Sequence, residues 1–71
     1  MAMIVREELS ESIGREVARL RVKHGWSQKE LHCESGVSLQ RIVLIEAGYA
    51  PAHSSTLMRL LKAMGEEELS I

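Results

Sequence analysis

The fold of this chain is decided by residues 27–46, which read SQKELHCESGVSLQRIVLIE. The first four residues have the pattern of a capping box, in which the Ser27 hydroxyl accepts a hydrogen bond from the Glu30 amide and the Glu30 carboxylate accepts one from the Ser27 amide. Gly36 supplies the left-handed conformation that ends a helix, and Ser38 is a second N-cap candidate. The stretch therefore predicts two short helices, at about residues 28–35 and 39–46, that cross steeply at a tight turn.

A longer helix is predicted before this stretch. One apolar stripe is formed by side chains that recur at steps of three or four residues, namely Leu9, Ile13, Val17, Leu20 and His24. The acids Glu7, Glu8 and Glu11 favour a helix N-terminus in their neighbourhood. Gly25 is placed to end the helix.

A fourth helix is predicted after the stretch. Ser54, Ser55 and Thr56 are candidate caps, and Gly65 closes the segment. Its apolar positions are Leu57, Leu60, Leu61 and Met64. The chain is therefore expected to form one all-α domain over residues 1–71, a compact bundle of four to five helices with residues 1–8 and 66–71 as flanking segments.

Length and composition limit the classes of protein that this chain can belong to. Seventy-one residues allow a single domain. The only cysteine, Cys33, excludes an internal disulfide and fits a reducing cytoplasm. The longest uncharged apolar run covers residues 1–5, whereas a membrane span needs about 20 residues. We therefore expect a cytoplasmic protein that makes no membrane contact.

The charges are distributed unevenly along the chain. The formal net charge is −1, but residues 12–62 carry eight basic and four acidic residues and hence a charge of +4. The remaining acids lie in the two ends of the chain. A mildly basic body is compatible with contacts to phosphate, although it is a weak electrostatic signal for nucleic-acid binding.

Catalytic and metal-binding sites are not indicated. His32 and Cys33 are adjacent on a predicted helix and point about 100° apart, so they cannot share a proton well. The histidines His24 and His53, together with His32 and Cys33, lack the close paired spacing of a zinc site. No glycine-rich loop that could hold a phosphate is present. The sequence predicts neither an enzyme nor a bound metal or other cofactor.

The chain resembles the Cro/repressor-type (XRE-like) helix-turn-helix family, whose fold is that of the lambda-repressor-like DNA-binding domain. The resemblance covers residues 13–65. The matching residues are Ile13-Gly14, Val17, Leu20-Arg21, Gly25-Trp26-Ser27-Gln28, Glu30-Leu31, Gly36-Val37-Ser38, Ile42, Ile45-Glu46, Gly48, Pro51 and Leu57. The resemblance implies that residues 39–46 are the recognition helix and that Arg21 pairs with Glu46. The alternative for these two residues is a pair of solvated surface charges.

The resemblance also implies which residues contact double-stranded DNA. The predicted DNA-binding set is Gln28, Lys29, Ser38, Leu39, Gln40, Arg41, Val43 and Leu44. Ile42 and Ile45 point into the core, whereas Gln40 can contact an adenine and Arg41 a phosphate or a guanine. Gln28 is expected to meet the phosphate backbone. The aliphatic members can touch thymine methyl groups, or they can form an apolar patch that binds a protein instead.

Three departures from the family pattern lower the expected DNA affinity. His32 stands where the family usually has alanine, so it must tilt outward or enlarge the helix crossing. Ser35 replaces a more usual apolar residue, which weakens the local core. The loop at residues 48–55, which is usually basic, contains no lysine or arginine.

Assembly is suggested by apolar residues outside the predicted core. Residues 1–5 and 69–71, together with Met58 and the other apolar residues of the fourth helix, favour a homodimer formed through the chain ends and that helix. Residues 57–65 also have a weak similarity to HipB-like antitoxins.

From the helix-turn-helix resemblance and the expected dimer, we predict a sequence-specific transcriptional regulator, a dimeric repressor of a short palindromic operator. The alternative is a protein-interaction module, such as the partner of a toxin or of another regulator.

Overall fold

The computed structural model describes residues 2–67, with side chains described from Ser10 onward. Four helices follow one another in this range: α1 (Ala2–Lys23), α2 (Gln28–Ser35), α3 (Leu39–Glu46) and α4 (Ser54–Ala63). No strand occurs between residues 2 and 67. The predicted all-α class is therefore confirmed, and the bounds of α2 and α3 coincide with those expected from the sequence.

The ends of α2 and α3 follow from local hydrogen bonds. The capping box is present, because the Ser27 amide donates to Glu30 Oε1 over 2.8 Å and the Glu30 amide donates to Ser27 Oγ over 3.0 Å. Gly36 ends α2 in the left-handed region at a φ of 76°. Ser38 Oγ then caps α3 by accepting the Arg41 amide over 3.2 Å. These residues place two short helices around a turn of three residues.

The start of α1 differs from the sequence-based expectation. The helix begins at Ala2, so most of the predicted flanking segment 1–8 belongs to it, and its first turn contains no acidic residue. The expectation that Glu7, Glu8 and Glu11 mark the helix start was therefore wrong. Neither glycine nor proline lies between Ala2 and Ser12, and each residue added to an existing helix contributes one further hydrogen bond. Residues 68–71 of the other flanking segment lie outside the described residues.

The start of α4 also differs. Its N-cap is His53, which makes no side-chain capping bond, and the helix begins at Ser54. The hydroxyls of Ser54, Ser55 and Thr56 thus lie inside the first turn, past the position from which a side chain can cap the helix. The prediction that one of them would be the cap was wrong.

The core is aliphatic and draws on every helix. Its buried members are Val17, Leu20, Leu31, Val37, Ile42, Ile45, Leu60, Leu61 and Met64, with Trp26 and Leu57 packed against them. On α4, only Met58 remains as an exposed large apolar side chain. The other apolar residues of α4 are therefore used within the chain, which reduces the apolar surface that this helix offers to a second copy.

Helix α1 approaches α3 at Gly14. This glycine is buried, and a Cβ atom added to it would meet the carbonyl oxygen of Ile45. The obstacle is backbone, which a rotamer change cannot move aside. The absence of a side chain at residue 14 is therefore a condition for the close contact of the two helices.

A mostly buried ion pair joins the same two helices. Arg21 Nε lies 2.8 Å from Glu46 Oε2 and Arg21 Nη2 lies 3.0 Å from Glu46 Oε1, with side chains only 15% and 7% exposed. Arg21 Nη1 also donates to the Trp26 carbonyl over 2.7 Å. The hydrogen bond to Glu46 raises the pKa of the Arg21 guanidinium above its ordinary value. The predicted pairing is confirmed, and these are not solvated surface charges.

Substitution Gly14→Ala tests the helix contact. We expect it to lower the free energy of unfolding by about 1–3 kcal/mol, because α1 and α3 must separate to admit the methyl group. In an unhindered helix the same substitution would instead stabilise the chain by about 1 kcal/mol, because alanine has the higher helix propensity. A loss of stability therefore indicates the close contact. Urea denaturation measures the change, with exposed Arg15→Ala as the control. A Gly14→Ala chain as stable as the wild type would show that the helices are not in close contact.

A double-mutant cycle tests the ion pair. Arg21→Ala should destabilise the chain by roughly 3 kcal/mol, because Glu46 is left buried without its partner. The cycle with Glu46→Ala should give a coupling above about 1 kcal/mol. The matched cycle on the neighbouring pair Glu16 and Arg19, in which the Arg19 side chain is 56% exposed, should give a smaller coupling. Equal coupling for the two pairs would contradict a special role for Arg21 and Glu46.

Candidate nucleic-acid interface

The outer face of α3 carries most of the residues that the sequence predicts to contact DNA. Ile42 and Ile45 are fully buried, so they fix which side of the helix faces the core. Because successive residues turn by about 100°, Gln40 and Leu44 lie on the opposite side. Both are exposed, as is Arg41 on one flank. The predicted reading face is therefore at the surface of the chain.

This face is unusually apolar for a surface. Leu39, Val43 and Leu44 are 39%, 42% and 38% exposed. Among residues 10–67, six large hydrophobic side chains are exposed, and these three are half of them. The face therefore offers several methyl groups around a single amide, that of Gln40.

The cations of the chain divide into paired and unpaired groups. On α1, Arg19 lies 2.6 Å from Glu16, Arg21 is bound to Glu46, and Lys23 lies 3.6 Å from Glu66. Lys29 of α2 and Arg41 of α3 are exposed and make no ion pair with the residues that the structure describes. The two cations of the helix-turn-helix are thus free to meet phosphate, whereas Arg19, Arg21 and Lys23 of α1 are engaged by acids.

Gln28 has a partner that the sequence analysis missed. Its Nε2 donates to Glu46 Oε1 over 3.0 Å, and the residue is half-buried. The first residue of α2 is thereby attached to the ion pair between α1 and α3. The amide nitrogen of Gln28 can donate to a phosphate only by giving up or sharing this bond. No local sequence pattern indicates the contact, because it joins residues 18 positions apart.

The turn between α2 and α3 contains two further contacts that were missed. His32 Nδ1 lies 2.6 Å from the Val37 carbonyl oxygen, and Ser35 Oγ accepts the Val37 amide over 3.1 Å. Of the two expected outcomes, an outward tilt or an enlarged helix crossing, the outward tilt is not observed, because His32 is half-buried. The contact of Ser35 with the residue two positions later is a recognised serine turn and could have been identified from the sequence.

The described side chains of α3 offer hydrogen bonds and methyl groups to a ligand. The His32 ring is engaged by the Val37 carbonyl, and Cys33 is an exposed free thiol. Within the described residues, no group of three or more histidine, cysteine or acidic side chains could hold a metal ion. The helices in that part of the chain are also too short or too polar to cross a membrane.

Comparison with known proteins identifies the family. A family model described as helix-turn-helix matches residues 17–70, which include α2, α3, α4 and the second part of α1. The comparisons with curated proteins and with solved structures give no match. Domains of the matched family are DNA-binding regulatory domains and are not typically enzymes. The match covers about three quarters of the chain and agrees with the capped helix pair and the Arg21–Glu46 tie, so the chain belongs to the XRE-type helix-turn-helix family of DNA-binding regulators.

Proposed function

We propose that the chain is a sequence-specific repressor of transcription that acts in the cytoplasm and binds a short palindromic operator as a homodimer. The observation that carries the proposal is the geometry of α3. Buried Ile42 and Ile45 and the ion pair of Glu46 hold this helix on one side, while Gln40, Arg41 and Leu44 are exposed on its other sides. A fixed helix with an exposed polar and apolar face suits readout in the major groove.

The side chains of this face have distinct proposed roles. Gln40 makes a bidentate contact with an adenine, and Arg41 binds a phosphate or a guanine. Lys29 and the Ser38 hydroxyl bind the phosphate backbone, and Gln28 does so where its bond to Glu46 allows it. The aliphatic residues Leu39, Val43 and Leu44 contact thymine methyl groups.

The proposed dimer follows from the size of the reading face. A single helix of eight residues reaches only a few base pairs, and a second copy places an identical helix in the next major groove. Met58 is the exposed large apolar side chain that α4 offers for this purpose. Residues 1–5 and 69–71, whose side chains lie outside the described part, are proposed to supply the rest of the interface.

A second candidate function is favoured by one observation. The clustering of three exposed aliphatic side chains on α3 also suits a protein partner, for example a toxin or another regulator. In that case these side chains would carry the binding energy, and the Gln40 amide would contribute little.

Binding to duplexes selected from a random pool tests the proposal. Gln40→Ala should cost about 1–3 kcal/mol on the preferred sequence and relax the preference at one base pair per half-site. Lys29→Ala, and Arg41→Ala if Arg41 meets phosphate rather than guanine, should weaken binding to every sequence and reduce the slope of log affinity against log salt by about one unit. Fluorescence anisotropy at several salt concentrations measures both effects, with two chains per duplex expected at saturation.

The control is Arg15→Ala, which removes an exposed charge of α1 that lies outside the helix-turn-helix and forms no ion pair with the side chains that the structure describes. It should leave the preferred sequence unchanged and alter the salt slope less than the Lys29 variant does. A pool without enrichment, combined with capture of a protein partner that Leu44→Ala abolishes and Gln40→Ala retains, would refute the repressor and support the second candidate.

A further inference from the structure

The backbone groups of Val37 need hydrogen-bond partners from outside the two helices. It lies in the turn between α2 and α3, directly before the Ser38 cap, and it is only 6% exposed. Backbone groups that are buried need hydrogen-bond partners, because an unsatisfied one loses its bonds to water without replacement. The turn residues at 36–38 belong to neither helix, so the helical ladder does not supply these partners.

Both partners of Val37 are side chains of α2. The Val37 amide donates to Ser35 Oγ over 3.1 Å, and the Val37 carbonyl oxygen lies 2.6 Å from His32 Nδ1. Since a carbonyl oxygen can only accept, the Nδ1 atom of His32 carries the proton in this contact. The two side chains thus hold the peptide groups on either side of the Val37 Cα atom.

These two bonds act on the first turn of α3. The Val37 carbonyl belongs to the peptide group that also contains the Ser38 amide nitrogen, so its orientation sets the direction in which the chain enters the cap. Ser38 in turn accepts the Arg41 amide on its side chain and the Ile42 amide on its carbonyl oxygen. Fixing the Val37 peptide therefore restricts the helix start from which Gln40 and Arg41 project.

We infer that His32 and Ser35 are positioning residues for the recognition helix. Together they preset the turn, so that less conformational freedom is lost when α3 binds DNA. His32 and Ser35 both depart from the family pattern, which usually has apolar residues at these positions. In this inference the two residues act together to order the turn. This inference rests on the proposed DNA binding for its effect on affinity, but its effect on the turn is independent of DNA.

Four variants separate the hydrogen bond from the bulk of the side chain. His32→Ala and Ser35→Ala remove the two contacts individually. His32→Asn keeps a donor nitrogen at the position of Nδ1, whereas His32→Gln extends its amide towards the position of Nε2. The measurements are backbone amide hydrogen exchange, the ring nitrogen shifts of His32 by NMR, and affinity for the duplex selected by the wild type.

The ring spectrum of the wild type should show a proton on Nδ1. In His32→Ala, exchange at the amides of Arg41 and Ile42 should be about three- to tenfold faster, as expected for the loss of one hydrogen bond. The Leu31 amide, which bonds to the Ser27 carbonyl within α2, should be unchanged. Ser35→Ala should accelerate exchange at the Val37 amide.

Affinity for DNA should fall about three- to tenfold in His32→Ala with an unchanged salt slope, because a hydrogen bond rather than a charge is removed. His32→Asn should recover most of the loss, and His32→Gln should not. The inference is overturned if His32→Ala has the exchange rates and the affinity of the wild type, or if Asn and Gln rescue equally.

If the wild type binds no duplex, the proposed function fails, while the exchange rates and the ring spectrum still decide whether His32 and Ser35 order the turn. If His32→Ala does not fold, Ser35→Ala and the Asn and Gln pair supply the same comparison.

Discussion

The bidentate ion pair of Arg21 with Glu46 is the interaction on which the position of α3 depends. Glu46 is the last residue of α3, and its carboxylate accepts from Arg21 of α1 and from Gln28 of α2. One carboxylate thereby connects three helices at a single point. The pair is shielded from water, so breaking it leaves a charge that the surroundings cannot solvate.

The two ends of α3 are held by different means. At its C-terminal end, the ion pair works together with Gly14, whose missing side chain lets α1 come close to the carbonyl groups of Ile45 and Glu46. At its N-terminal end, Ser38 caps the helix and the Val37 peptide is bonded to α2. Ile42 and Ile45 anchor the middle. A helix of eight residues held in this way has one face left for a ligand.

The charged side chains also differ between α1 and the helix-turn-helix. Arg19, Arg21 and Lys23 of α1 are paired with acids of the same domain, whereas Lys29 and Arg41 of the helix-turn-helix are not paired within the described residues. Phosphate contacts are therefore expected near α2 and α3. Because the helix-turn-helix has few cations, we expect only a modest affinity that is independent of DNA sequence. Its methyl groups can contact bases, so base contacts should supply a larger share of the binding free energy.

Sequence reasoning succeeded where the signal is local. The capping box of Ser27 and Glu30, the glycine that ends α2 and the Ser38 cap each involve residues at most four positions apart, and the backbone geometry of a helix end fixes their contacts. The pairing of Arg21 with Glu46 was predicted only from the resemblance to a family. The cap of α4 was misjudged because three adjacent hydroxyls compete in the sequence, and the helix starts from His53 instead.

The contacts of the candidate site were harder to predict. Gln28 reaches Glu46 and His32 reaches Val37 only because α2 and α3 cross at a particular angle, which no pattern along the chain records. His32 was expected to tilt outward or to enlarge the helix crossing, whereas its ring bonds to the Val37 carbonyl in the turn. Which residues of α3 are buried could be predicted, because the helical period separates Ile42 and Ile45 from Gln40 and Leu44.

The most direct test of the central claim, that the exposed face of α3 is the surface that binds DNA, is NMR titration of the 15N-labelled chain with a duplex selected by the wild type. We expect the largest changes in amide shifts between Ser38 and Leu44 and at Gln28 and Lys29, with small changes along Ser54–Ala63. The largest changes along Ser54–Ala63, or changes of equal size across the whole chain, would contradict the claim.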